Sequence, residues 1–261
     1  MNRQQLTQAL SELGIQGGVV VVHADLEALG LTEEDAGWVA EAIVEAVGPT
    51  GTVLMPTFTL DKTIVADPGR TSIPFHPDLP TSDPVAEAFR HFAGTLRSNH
   101  PTHSFAALGP HARELLSTHR DNNPLGPVKK LNLLHGFVVL VGAKLDRVIA
   151  LHLAQEERGM AVRQKAVALR INAAGYRERV VIDPFPQCTR GFAKLETALE
   201  REQVREVALG PARVRALKLR YLLHLACAAL VRSPQGFLCE VEGCSSCAAR
   251  RNASMPPRVS V

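Results

Sequence analysis

Aromatic side chains are scarce in this 261-residue chain: they make up 5% of it, with one tryptophan and two tyrosines. A surface that stacks bases or sugars on an aromatic platform is therefore not expected. Long apolar runs are also missing; the longest hold about four to six residues, against roughly 20 for a membrane helix. The opening residues, Met1 to Leu6, lack the apolar stretch of a signal peptide, so a cytoplasmic protein with no membrane partner is the expectation. Neither charge sign dominates. With 29 basic and 26 acidic residues the net charge is +3, which predicts no nucleic-acid partner. The five cysteines read, in such a compartment, as thiols or metal ligands rather than as a disulfide framework. The chain has no Walker A loop, no GxGxxG, no GxSxG and no HExxH. Kinase, dinucleotide-dependent and serine-hydrolase readings lose their usual support.

What is present is an apolar content of 46%, enough for a sizeable core. Val19 to Val22 is a short β-branched run that predicts a strand buried on both faces. Residues 51–56, Phe105 to Leu108 and Phe137 to Gly142 predict further strands. Helices are expected from Thr7 to Leu13, from Thr32 to about Val47, and from Pro84 to Phe92. Others are expected from Pro110 to Thr118, Ile149 to Glu157, Ala193 to Glu202 and Ala212 to Leu230. Arg170 to Ile182 reads as a hairpin, residues 61–83 as a long irregular loop, and about 252–261 as a frayed tail. Strands alternating with helices, without a composition break, predict one α/β domain over residues 1–261 with a largely parallel sheet. Ligands in such sheets gather at the carboxyl ends of the strands, where His23, Thr57 and Gly142 fall.

The densest polar segment is Arg97-Ser98-Asn99-His100-Pro101-Thr102-His103-Ser104-Phe105. Its proline makes it a rigid loop. Arg97 and the hydroxyls are suited to phosphate, and the backbone N–H groups to carbonyls. The plain alternative is a structural loop whose histidines satisfy buried backbone groups. His152 falls on a predicted helix, and Glu156, four residues on, shares its helical face. A carboxylate beside an imidazole fixes its tautomer and raises its basicity, as a general base requires. Cys239, Cys244 and Cys247, joined by Cys188 or a histidine, offer a structural zinc site. Free or structural thiols are the preferred reading, because only one Cys-x2-Cys pair is evident.

In order, VVVVHADLEALG (19–30), GTVLMPTFT (51–59) and the long segment from Phe75 to Ala112 resemble the antibiotic N-acetyltransferase family. DNNPLGPVKKL (121–131), VVLVGAKLD (138–146), LHLAQEERG (151–159) and residues 191–218 extend the resemblance over nearly the whole chain. It implies a three-layer α/β/α sandwich distinct from the GNAT fold. It also implies transfer of an acetyl group from acetyl-CoA to the 3-amino group of a 2-deoxystreptamine aminoglycoside, with antibiotic resistance as the outcome. By resemblance, His23, Asp25, Leu26, Thr57, Arg97, Ser98, His103, Ser104 and Phe105 line the CoA channel, and His152 is the base. Asp61, Asp78, Asp83, Glu87 and Asp121 offer carboxylates to a polycationic acceptor. No metal is expected in catalysis, and a monomer or homodimer is expected.

Three positions depart from the family pattern. Asp25 stands where the family has Ser or Thr; a carboxylate there repels phosphate and suits the amine or the pantetheine amides. Gln155 replaces the family's Glu, passing the carboxylate role to Glu156 or Asp146. Ile149-Ala150 replaces hydroxyl residues. Other readings are an N-acetyltransferase for another amino sugar or biosynthetic amine, a CoA-binding protein with lost catalysis, or a zinc-stabilised interaction module.

Overall fold

A computed structural model describes residues 1–65, 72–159, 165–184 and 188–252. The tail beyond residue 252, expected to fray, lies outside the described residues, as do positions 66–71 of the expected loop. Helix α1 (Arg3–Glu12) starts earlier than expected because Asn2 caps it. The Asn2 side chain accepts from the Gln5 N–H at 3.0 Å, and Gln5 Oε1 accepts from the Asn2 N–H. Next come β1 (Val19–Ala24) and α2 (Ala36–Val47). The Asp35 carboxylate takes the Thr32 N–H at 2.9 Å ahead of α2, and Gly48, at φ 71°, ends it. Then follow β2 (Thr52–Pro56), α3 (Leu60–Thr63), α4 (Pro84–Arg90), β3 (Leu96–Arg97), β4 (Phe105–Leu108), α5 (Ala112–Leu116) and α6 (Gly126–Leu133). The second half runs β5 (Phe137–Val141), α7 (His152–Glu157), β6 (Ala166–Ile171), β7 (Arg177–Ile182), β8 (Val204–Leu209), β9 (Ala212–Lys218), α8 (Leu219–Arg232) and α9 (Ser245–Asn252).

Seven strands form one sheet in the order β3-β4-β2-β1-β5-β9-β8. Period-two alternation sorts its side chains into two layers. Val20, Val22, Met55, Val139, Val141 and Val214 face a core made with α1, α2 and α4. Val19, Val21, Leu54, Phe105, Val138 and Leu140 face a second core with α5, α6, α7, α8 and the 3-10 helix Arg190–Ala198. The architecture is the expected α/β/α sandwich.

Three expectations are corrected. The sheet is mixed: β1 pairs parallel with β2 and β5, whereas the pairs β2–β4, β3–β4, β5–β9 and β8–β9 are antiparallel. The helix expected over Ala212 to Leu230 begins only at Leu219, because Ala212–Lys218 is strand β9. Its alternation is period two, with Val214 and Ala216 buried on one face, while Arg215 projects to the other. Gly210 at φ 64° turns β8 into β9. The segment Ala193 to Glu202 is helical only as the 3-10 helix named above and a further short turn.

The hairpin β6–β7 forms a second, two-stranded sheet. It holds the segment after β2 by backbone pairing: Val65 N–H donates to Val167 O and Phe75 N–H to Leu169 O, both at 2.8 Å.

Candidate active site

Where the parallel strands β1 and β2 end, their carboxyl termini open into a cavity of about 160 Å³. Val22, His23, Ala24, Met55, Pro56, Phe58, Thr81, Ser82, Asp83 and Arg147 are among its walls. This is the crevice that an α/β sheet leaves for a ligand. His23 is buried, and its Nε2 meets no hydrogen-bond partner among the described residues. Burial, with a smaller push from Arg147, lowers its pKa to about 4, so the ring is neutral at physiological pH. Asp83 caps α4 by accepting the Ala86 N–H at 2.9 Å, and burial pushes its carboxyl above the usual range. The Asp25 carboxylate takes the Ala28 N–H at 3.1 Å and lies 3.5 Å from Arg147 NH2. Its charge is therefore matched at the cavity rim. Leu26 turns the other way and packs against the layer of α1, α2 and α4.

The polar loop divides its residues between two sides. On one side Arg97, Thr57 and Ser104 form a closed network. Arg97 NH1 donates to Pro77 O at 2.8 Å and Leu79 O at 2.6 Å, NH2 to Thr57 O at 2.9 Å, and Nε to the Thr57 and Ser104 hydroxyls at 3.2 Å. The Ser104 hydroxyl donates to Thr57 O at 2.6 Å. The guanidinium thus points at protein oxygens. On the other side Ser98 Oγ accepts the Phe105 N–H at 2.9 Å and lies 2.8 Å from His119 Nδ1. His100 stacks on His119 with ring centroids 4.5 Å apart. His100, His119, Asn99, Asp121 and Arg170 line a separate depression of about 390 Å³. His103 packs edge-on to Phe58 at 4.8 Å and lies 2.8 Å from the Thr102 hydroxyl. Phe105 is fully buried within the second core layer.

His152 opens α7 and is 2% exposed. Its Nδ1 lies 2.7 Å from Gln155 Oε1, and Phe192 meets the ring edge-on at 5.0 Å. An amide oxygen accepts, so Nδ1 carries a proton, and in the neutral ring that leaves the lone pair on Nε2. The expected carboxylate partner lies elsewhere: Glu156 pairs with Lys129 at 2.7 Å. The turn into α7 is held from below. Glu196 takes the Leu145 N–H at 2.8 Å and both Arg215 terminal nitrogens, and Arg215 also donates to Ala143 O.

The five acidic candidates do not converge. Only Asp83 lines the cavity. Asp61 is exposed on α3, and Asp78 lies 3.1 Å from His76 Nδ1. Glu87 is bound by Arg90 at 2.6 Å; burial raises its pKa, but Arg90 and the Thr81 N–H outweigh it and bring it to about 2. Asp121 is bound by Arg170 at 3.0 Å. The sequence reading missed Phe58, Arg147, His119 and Phe192. None lies in a recognisable pattern of its own, and each gains its role from a contact distant in sequence.

A family model described as aminoglycoside 3-N-acetyltransferase matches residues 21–230. Aminoglycoside N(3)-acetyltransferase III of Salmonella sp is 35% identical over 175 residues, which span 59% of this chain and 59% of that relative. The match therefore covers under two thirds of that protein's length. Aminoglycoside N(3)-acetyltransferase IV of Salmonella sp is 29% identical over 254 residues, 92% of each chain. The crystal structure of the aminoglycoside acetyltransferase AAC(3)-IVa, as apoenzyme, superposes with a TM-score of 0.78 at 29% identity, covering 96% of both chains. A histidine-to-alanine mutant of that enzyme, in complex with a gentamicin, superposes with a TM-score of 0.78 at 28% identity. With the sandwich, the crevice and the buried histidine in place, the chain belongs to the antibiotic N-acetyltransferase family, the aminoglycoside 3-N-acetyltransferases.

Proposed function

We propose that this protein transfers an acetyl group from acetyl-CoA to the 3-amino group of a 2-deoxystreptamine aminoglycoside. The observation that carries the reading is His152: a buried imidazole at the start of α7, its tautomer set by Gln155 at 2.7 Å, in a chain of this family. Nε2 takes the proton from the acceptor ammonium, or from the attacking amine as it bonds to the thioester carbonyl. The tetrahedral intermediate then collapses, the C–S bond breaks, and CoA leaves as thiolate. Transfer is direct. Cys227, the cysteine that touches α7, has its thiol pushed up by burial and directed at Ala154 O, which makes it a poor nucleophile.

In this reading His23, with its unmatched Nε2, and the backbone of the turn at Asp25 and Leu26 meet the CoA arm. Thr57, Arg97 and Ser104 hold the wall rigid, Arg97 acting through carbonyls rather than on phosphate. Ser98 and His103 brace the loop, and Phe105 supports it from the core. Asp83 is the carboxylate placed to meet a cationic acceptor, with Asp61 and Asp78 at the periphery. No chemical step calls for a metal, and the reaction suits a cytoplasmic enzyme. A second reading keeps fold and cofactor and changes the acceptor to another amino sugar or biosynthetic amine. It is favoured by the arginine partners of Glu87 and Asp121, which leave fewer unpaired carboxylates for a polycation.

Release of CoA thiol, followed with acetyl-CoA and a panel of 2-deoxystreptamine drugs and simpler amines, tests both. Release only with simpler amines selects the second reading; none with any amine rejects catalysis altogether. His152→Ala is expected to lose at least about a hundredfold in rate.

A further inference from the structure

Cys188 precedes the 3-10 helix Arg190–Ala198, Cys239 follows α8 by a turn, and Cys244 and Cys247 enter α9. The fold gathers these distant positions so that all four sulfurs lie within 4.8 Å of one another. Zinc–sulfur bonds of about 2.3 Å in a tetrahedron place sulfurs about 3.8 Å apart, so the cluster needs only a small contraction around an ion. The Cys-x2-Cys pair brings two ligands from one turn, with Gly243 at φ 75° shaping the approach. Cys239 N–H already donates to Cys247 Sγ at 3.4 Å, a bond that supports a thiolate. Cys239 and Cys247 are buried. An open depression of about 410 Å³, lined by Cys188, Arg190, Cys244 and Ser245, gives an entry path.

The surroundings have the matching charge. Zinc(II) with four thiolates carries a net charge of −2. The Arg250 guanidinium is withdrawn from solvent, and its Nε, NH1 and NH2 meet no hydrogen-bond partner among the described residues. A buried, unpaired cation is costly unless an anion lies beside it. Arg190 lines the depression, and Arg251 donates to the Cys239 carbonyl.

We propose that Cys188, Cys239, Cys244 and Cys247 bind one zinc ion as a closed, structural tetrathiolate site. Binding converts four thiols to thiolates and releases four protons. The ion ties the end of the chain to the segment before Phe192. Phe237 already meets Phe192 edge-on at 5.5 Å there, and the Gly191 backbone leaves no room for a Cβ against Phe237 O.

The full chain, purified without chelator, is expected to hold one zinc per protein by elemental mass spectrometry. An organomercurial should release it as four thiols react. Cobalt(II) exchange should give the intense sulfur-to-metal and tetrahedral d–d bands of a tetrathiolate. Cys244→Ser should drop the zinc content severalfold, and Cys227→Ser should leave it unchanged. The wild-type chain decides the matter even if Cys244→Ser fails to fold. Isolation without zinc and with no uptake of added zinc, or disulfides among the four cysteines in non-reducing mass spectra, overturns the site.

Discussion

His152 is set by two neighbours of different character. Gln155 fixes which ring nitrogen bears the proton, and Phe192 keeps water from one edge. A neutral amide orients the ring but stabilises its cationic form less than a carboxylate does. Gln155→Glu is therefore expected to raise kcat, on the order of tenfold, and to move the acid limb of the kcat/KM profile to higher pH. Glu156→Gln should stay within about twofold, since that carboxylate serves an outer ion pair with Lys129. Initial rates of both variants over pH check this; a large loss in Glu156→Gln with no gain in Gln155→Glu would return the carboxylate role to Glu156. The position of His152 was legible in the sequence, and its partner was not. The i, i+4 rule favours Glu156, but on the first turn of a short helix the i+3 side chain reached the ring.

The elements around the cavity are tied by side chains as well as by ladders. Arg97 alone bridges β3, the segment 77–79, and the end of β2. Arg97→Leu takes the guanidinium donor from Pro77 O and Leu79 O and leaves Thr57 O with Ser104 alone, and is expected to destabilise the fold by on the order of 3 kcal/mol. Urea denaturation measures it. A rise in KM for acetyl-CoA with unchanged stability would instead make Arg97 a phosphate contact. This division of labour explains which elements the sequence revealed. The apolar runs Val19 to Val22, Val53 to Met55 and Phe137 to Val141 read clearly because burial on both faces leaves no polar residue within them. Strand β9 was hidden because its alanines and leucine also suit a helix, so composition overrode alternation. Its partner β8, half exposed at the sheet edge, carried no apolar run to read.

For the molecule as a whole, acid is the expected weakness. Burial holds His23 near 4 and His119 near 3, and keeps His100 well below the ordinary 6.5, with His119 and His103 adding to the effect on His100. All three fold as neutral rings, so below pH 6.5 the unfolded chain binds protons that the folded one refuses. Stability is full above that pH and is lost as pH falls from 6.5 towards 4. With all three neutral the slope approaches about 4 kcal/mol per pH unit. Urea midpoints at pH 7.5, 6.0 and 5.0 should fall steeply, and a His119→Gln variant should flatten the decline. Equal midpoints at all three values would contradict the buried neutral histidines.

The order of the central sheet also has a consequence in time. Strand β1 completes its hydrogen bonding only when β5 arrives, more than a hundred residues later. At typical synthesis rates of 5–20 residues per second, its four consecutive valines wait roughly ten seconds on the ribosome without their second neighbour. During that interval one edge of the strand presents unpaired N–H and C=O groups, the kind of edge that templates pairing with another chain.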